Sequence, residues 1–266
     1  MPAPVNSFKK SIASGQLQIG FWQSLGTTIT AEISAYSGFD WLLIDGEHGP
    51  NDIRSIRDQL QVVGPSPTQA VVRIAGVDVV SVKQVMDAGA QTVLVPIVDT
   101  PEDAALMARA MRYPPHGIRG NGSGVVRAAD YGRMAGYLDT ANDEACLLVQ
   151  AETMTAINNL DAICAIDGVD GVFIGPSDLA TSMGHIGDPG HKDVQAVIED
   201  AIVRIRAAGK APGILMADEA KVRRYIELGA LFVAVGSDVS ILANGAKNLA
   251  AKYLGGAAAS TKGQVY

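Results

Sequence analysis

Cysteine is nearly absent from this sequence. Its two thiols, Cys146 in an apolar run and Cys164 in a helical pattern, have neither metal-ligand spacing nor a disulfide framework. That excludes a thiolate zinc site and a cross-braced scaffold, and leaves both residues as core fillers. Long apolar runs are missing too, with none approaching the roughly 18 residues of a membrane helix. The opening MPAPVNSFKK has no apolar stretch after its charges, so neither a signal peptide nor a membrane span is expected, and the expected setting is cytoplasmic. Basic runs are lacking: 21 Lys and Arg face 28 Asp and Glu, for a net charge of −7. No nucleic acid and no anionic membrane is therefore expected as partner, and a small molecule is. Aromatics are 5% of the chain, too few for an ordinary β-sandwich, whereas abundant Ala, Gly, Val and Ile suit helices packed on a parallel sheet.

What is present is a strict alternation. Apolar runs at 18–22, 41–44, 70–74, 92–98, 146–150, 171–174, 212–216 and 231–235 read as strands. Helical patterns lie between them, at 78–88, 101–112, 156–166, 191–208 and 218–228, several opening on Asp or Pro and closing at Gly. Eight such units predict an α/β fold, a single-domain (β/α)8 TIM barrel over residues 1–254; a doubly wound open sheet is the alternative, because count alone does not establish closure. One connection, 113–144, far exceeds the usual length of about 2 to 6 residues, and loops of that size cover a site or meet a partner. The segment 255–266 reads as a polar tail.

In a parallel barrel the C-terminal strand ends share one rim, where catalytic groups collect. Those ends are polar here: Trp22 and Gln23, then Asp45, Glu47 and His48, then Arg73, Gln150 and Glu152, and Ser177 and Asp178. Arg73, set in the apolar run AVVRIAG, needs an anion, either a ligand's or a barrel acid's. Glu152 and Asp178 follow adjacent strands about 4.8 Å apart, close enough to share one cation. Oxygen donors without His or Cys suit Mg2+ or Mn2+. The amides of Ser177 and Asp178 in GPSDL either hold a carboxylate or simply begin a helix. GNGSG at 120–124 follows no strand and reads as a flexible loop rather than a phosphate cradle. His116, His185 and His191 fall in loops or at a helix start and read as solvated or capping residues, not ligands. A Schiff-base lysine is not expected, because no lysine follows the end of a strand.

The motifs WLLIDGEHGPN, VVR, RYPPHGIRG, LLVQAET, GVDGVFIGPSDL, GKAPGIL and LGALFVAVGSD, in this order, resemble the HpcH/HpaI aldolase family of metal-dependent class II pyruvate aldolases. The resemblance spans nearly the whole chain, from Phe8 to Leu254. It implies a (β/α)8 barrel, a homohexamer built as a trimer of dimers with an exchanged C-terminal helix, and a divalent metal, Mg2+, Mn2+ or Co2+. It implies that Glu152 and Asp178 are the metal ligands, His48 the general base and Arg73 the stabiliser of the developing enolate. Gln150, Ser177, Asp178, Trp22 and Leu215 are implied as substrate contacts. Asp87 is similar to the acid that raises the basicity of the histidine; simple barrel topology puts it at the opposite rim, so it would reach the histidine from another subunit or act indirectly. Asp45 is expected to support the site, bonding a water there or orienting the turn, and Glu47 to pair structurally. The implied reaction is cleavage of 4-hydroxy-2-oxoheptane-1,7-dioate to pyruvate and succinate semialdehyde. The alternative substrate is a 2-keto-3-deoxy sugar acid of the rhamnonate or glucarate type, with Arg119, Ser123 and Arg127 available for either aldehyde half. A non-catalytic oxo-acid-binding barrel is a further possibility.

Overall fold

The eight apolar runs form eight strands: β1 (Gln18–Gln23), β2 (Trp41–Asp45), β3 (Gln69–Arg73), β4 (Thr92–Val95), β5 (Cys146–Ala151), β6 (Val169–Ile174), β7 (Ala211–Leu215) and β8 (Phe232–Ser237). The computed structural model describes residues 1–254, and the expected tail lies outside them. All strands are parallel and pair in chain order, and β8 returns to β1, so the barrel is closed and the open-sheet alternative falls. The helices of the described residues are α1 (Ser7–Ala13), α2 (Thr28–Ala35), α3 (Ile53–Val63), α4 (Val79–Asp87), α5 (Pro101–Met111), α6 (Tyr137–Glu144), α7 (Met154–Asn158), α8 (Leu160–Cys164), α9 (Pro176–Ser182), α10 (Lys192–Ala207), α11 (Glu219–Leu228) and α12 (Asp238–Leu254). No helix among the described residues is long and apolar enough to cross a membrane.

Local chemistry sets the helix starts. Asp78, Thr100 and Asp218 each accept backbone N–H groups of the first turn, and Pro101 supplies a pre-set φ where no donor is needed. Two elements differ from expectation. The fourth strand stops at Val95, because Pro96 has no N–H for the ladder and Ile97 turns to φ 51°. The helix expected over 156–166 breaks at Asn159, whose amide instead donates to Asp99 O at 2.8 Å.

Period-two alternation divides the strand residues between two cores. Leu43, Val71, Leu94, Leu148, Phe173 and Phe232 fill the barrel, while their neighbours Ile44, Val72, Val93, Leu147 and Val149 pack under the helices. Trp41 occupies the barrel interior because Gly20 opposite it has no side chain; a Cβ there would stand 2.1 Å from the indole. Phe8 of α1 plugs the N-terminal end, its ring edge-on to Trp41 at 5.8 Å. Cys146 and Cys164 are buried free thiols, as expected of core fillers.

The long segment 113–144 follows α5, so it lies at the N-terminal rim, away from the C-terminal strand ends of its own chain. Its Tyr113, Ala129, Tyr137 and Ala141 form a small core with Ala3. A cavity of 520 Å³ opens beside it, bordered by the starts of β3 and β4 at Gln69 and Thr92.

Candidate active site

At the C-terminal rim the fold gathers residues that lie far apart in sequence. Trp22, His48, Arg73, Gln150, Ser177, Asp178 and Leu215 line one cleft, completed by Phe173, Gly175 and Pro176. Gly175 and Pro176 belong to the GPSDL segment noted in the sequence, whereas Phe173 was not singled out there. Phe173 was accessible from the alternation of β6, two positions before the acid-bearing turn.

Asp45 organises one side of this cleft. β2 and β3 pair in a register that sets Asp45 beside Arg73. Asp45 Oδ1 accepts from Arg73 Nε at 2.9 Å, Glu47 N–H at 3.0 Å and His48 N–H at 3.2 Å; Oδ2 accepts from Arg73 Nη2 at 2.7 Å and Trp22 Nε1 at 3.0 Å. Burial opposes ionisation of this carboxyl, but the bonds and charge of Arg73 outweigh it and hold Asp45 below the usual carboxylate range. Five donors thus fill about all the lone-pair positions of one carboxylate, three on Oδ1 and two on Oδ2. Its bonds from the Glu47 and His48 amides orient the turn, one of the two roles expected of Asp45. Arg73 also lies over the Trp22 ring, 4.9 Å from its centroid. Its Nη1 approaches Glu47 Oε2 at 2.7 Å without hydrogen-bond alignment, a charge contact that leaves Oε2 buried and unbonded. Arg73 is therefore paired to barrel acids, the second of its two expected partners, and it also lines the cleft. His48 stands free by comparison, its side chain 57% exposed with Nε2 3.8 Å from Glu47.

The other side is a carboxylate pocket. Glu152 is buried, receives the Ile97 N–H at 2.8 Å on Oε1 and the Gln150 amide on Oε2, and lies against Gly175, where a Cβ would stand 2.5 Å from Oε2. Burial, the largest influence, with the charges of Asp178 and Glu47, pushes Glu152 up to about 7 against the bonds from Gln150 and Ile97. The Ile97 amide reaches Glu152 only because a β-branched residue accepts φ 51°, a contact no sequence signal announces. The donor set fits a hard divalent cation: three carboxylates sense one another, and Gln150 Oε1 and Glu47 Oε2 are buried without hydrogen bonds.

Because Glu152 is raised from 4.5 to about 7, the folded chain holds its proton more tightly than the unfolded chain does. In chelator, stability is fully present below 4.5 and falls by about 3 kcal/mol as pH rises through 7. Urea denaturation across that range checks this; Glu152→Gln is expected to flatten the slope, and an unchanged slope in that variant contradicts the assignment.

Asp87 is elsewhere. It ends α4 at the N-terminal rim and pairs with the buried Arg119 at 2.9 Å. Arg127 donates to Ala88 O at 2.9 Å and Leu60 O at 3.4 Å, capping the ends of α4 and α3. Within one chain, then, Arg119 and Arg127 do not reach the cleft.

A carboxylate pocket, an arginine held by a buried acid and an exposed histidine, together at the mouth of a closed barrel, suit carbon–carbon lyase chemistry. Residues 18–245 match the family described as HpcH/HpaI aldolase/citrate lyase. The chain belongs to this family. The aldolase is 57% identical over 258 residues to a hydroxypyruvate/pyruvate aldolase of Agrobacterium fabrum, covering 97% of each chain. It is 55% identical over 256 residues to a 4-hydroxy-2-oxo-heptane-1,7-dioate aldolase of Klebsiella pneumoniae, covering 96% of this chain and 97% of the other. A solved structure of an HpcH/HpaI aldolase/citrate lyase family protein from Burkholderia cenocepacia superposes with a TM-score of 0.90 at 38% identity, covering 93% of this chain and 99% of that one. The protein is an aldolase, a carbon–carbon lyase, and the non-catalytic alternative is set aside. Among the described residues no lysine lines its cleft.

Proposed function

We propose that this aldolase is divalent-metal-dependent and cleaves a 4-hydroxy-2-oxo acid, with 4-hydroxy-2-oxoheptane-1,7-dioate as the leading substrate, to pyruvate and an aldehyde, reversibly. The observation that carries the reading is the pairing at one rim of an exposed imidazole with an acid pocket and a fixed guanidinium. Glu152 and Asp178 would hold the ion, which when bound supplies Lewis-acid polarisation of the 2-oxo group. His48 takes the proton from the C4 hydroxyl. The C3–C4 bond then breaks, the aldehyde leaves, and the electron pair passes onto the 2-oxo oxygen as an enolate. Arg73, held immobile by Asp45, stabilises that charge without reorganising, a contribution on the order of 3 kcal/mol for one such donor. Protonation at C3 yields pyruvate. Gln150 and the Ser177 backbone orient the pyruvate carboxylate, while Trp22, Leu215 and Phe173 wall its apolar carbon.

One other substrate reading has support of its own, and a second shares the pyruvate half. Relatives at 54% to 57% identity are named hydroxypyruvate/pyruvate aldolase, which favours hydroxypyruvate as a second nucleophile. A 2-keto-3-deoxy sugar acid would use the same pyruvate half. Pyruvate release coupled to lactate dehydrogenase, run on both acids, separates them; hydroxypyruvate is tested with an aldehyde in the synthetic direction. Excess EDTA is expected to abolish cleavage, and Mg2+, Mn2+ or Co2+ to restore it. Full activity in EDTA would sink the metal assignment.

Assembly belongs to the proposal. Ile241, Leu242, Leu249, Tyr253 and Leu254 lie exposed along α12, an apolar face that a single chain leaves uncovered. An exchanged C-terminal helix in a homohexamer would bury it, and would give Asp87 a route to His48 of the partner subunit. Light scattering should return six chain masses; a monomer would remove both ideas.

A further inference from the structure

Two histidines that play no part in the cleft meet on the surface behind it. After α9 ends at Ser182, the chain turns back through 183–191 before α10 begins at Lys192. Backbone bonds hold that turn: His185 N–H donates to Ala180 O at 2.8 Å, Asp188 N–H to His185 O at 3.0 Å, and His191 N–H to Asp188 O at 3.1 Å. Gln195 of α10 ties it from outside, its amide donating to Pro189 O at 2.8 Å. The turn places the His185 and His191 rings face to face, with centroids 3.7 Å apart and planes 16° apart. Asp193, in the first turn of α10, adds a carboxylate, and one ligand atom from each of the three residues lies within 4.8 Å of the others.

Helix capping accounts for part of this. His191 Nδ1 accepts the Asp193 N–H, but at 3.3 Å the bond is long, and it leaves the second ring nitrogen of His191 and both nitrogens of His185 free of it. Stacked rings direct their in-plane lone pairs side by side, so ligating one ion requires the rings to turn out of the stack, which their partial exposure allows.

We propose that His185, His191 and Asp193 form a second divalent-cation site, separate from the carboxylate pocket, for a borderline transition metal of the zinc, nickel or copper kind. Two imidazole nitrogens and one carboxylate oxygen select such ions over magnesium, which prefers oxygen throughout. All three residues are partly or fully exposed, so water completes the coordination. The ion would bridge the end of α9 to the start of α10. α9 opens with Pro176, Ser177 and Asp178, which line the cleft, so the bridge would anchor the helix that carries them. The site is structural, and the proposal does not depend on the aldol reading.

The test is zinc titration of the untagged, full-length chain by calorimetry. The wild type is expected to bind one more zinc equivalent than His185→Ala/His191→Ala. Zinc at about a hundredfold excess over Kd should raise the melting temperature of the wild type by about 5 °C more than that of the variant. In chelator the variant should melt within a few degrees of the wild type, the difference being the loss of the long His191 cap, which shows that it folds, and magnesium-supported cleavage should be unchanged. A Glu152→Gln/Asp178→Asn chain, stripped of the cleft ligands, should still lose one zinc equivalent when the two histidines are replaced. Single replacement of His185, His191 or Asp193 by alanine should weaken that equivalent at least about tenfold. Equal zinc stoichiometry with and without the histidines, in either background, overturns the proposal.

Discussion

Replacing His48 by alanine is expected to lower kcat by about 100- to 10,000-fold while leaving the melting temperature within a degree or so of the parent. The two effects separate because of how the residue is held. Its side chain is 57% exposed, with Nε2 3.8 Å from the Glu47 carboxylate, so its removal opens no buried cavity. What fixes the turn is the His48 backbone N–H on Asp45, which alanine retains. The proposed mechanism rests substrate affinity on other groups, so KM should move little. Steady-state kinetics beside a thermal melt read both quantities, and a wild-type cleavage rate in His48→Ala would remove the histidine from the reaction.

Asp45→Ala should do the reverse first, destabilising the fold by about 3–5 kcal/mol as measured by urea denaturation. Arg73 would keep only the misaligned charge contact with Glu47, and the Trp22 indole N–H and two turn amides would lose their acceptor in a buried place. Asp45→Asn retains an acceptor and the shape but not the charge, and should fall between. The depressed carboxyl carries a pH signature: its contribution is present above the ordinary carboxylate range and is lost as pH falls through its lowered value. Activity should fall with stability, because Asp45 holds both Arg73 and the turn bearing His48. A loss under about 1 kcal/mol would mean that Arg73 finds another partner.

These expectations differ in how visible they were beforehand. His48, Glu152 and Asp178 stood out in the chain because polar residues directly after branched apolar runs are conspicuous. Arg73 was visible as a charge needing an anion, yet its partner was not, since pairing Asp45 with Arg73 depends on the β2–β3 register. The saturation of Asp45 by five donors, from two neighbouring strands and its own turn, was invisible for the same reason. Arg119 and Arg127 looked available for an aldehyde, but the connection that carries them follows a helix, not a strand, and so within one chain lies at the other rim. His185 and His191 each read singly as surface residues, and only the folded turn stacks them.

Sequence by itself determined what is local: eight period-two runs, the helices between them, and the polar residues at each strand end. Backbone geometry repeats every two or 3.6 residues, so these features are written in short windows. Tertiary structure decided what depends on distant segments: that β8 closes on β1, that Asp45 binds Arg73 and Trp22, and that Ile97 bends its backbone to reach Glu152. Hydrogen bonds between strands and between side chains are set by register and approach across tens of residues, which no short window contains.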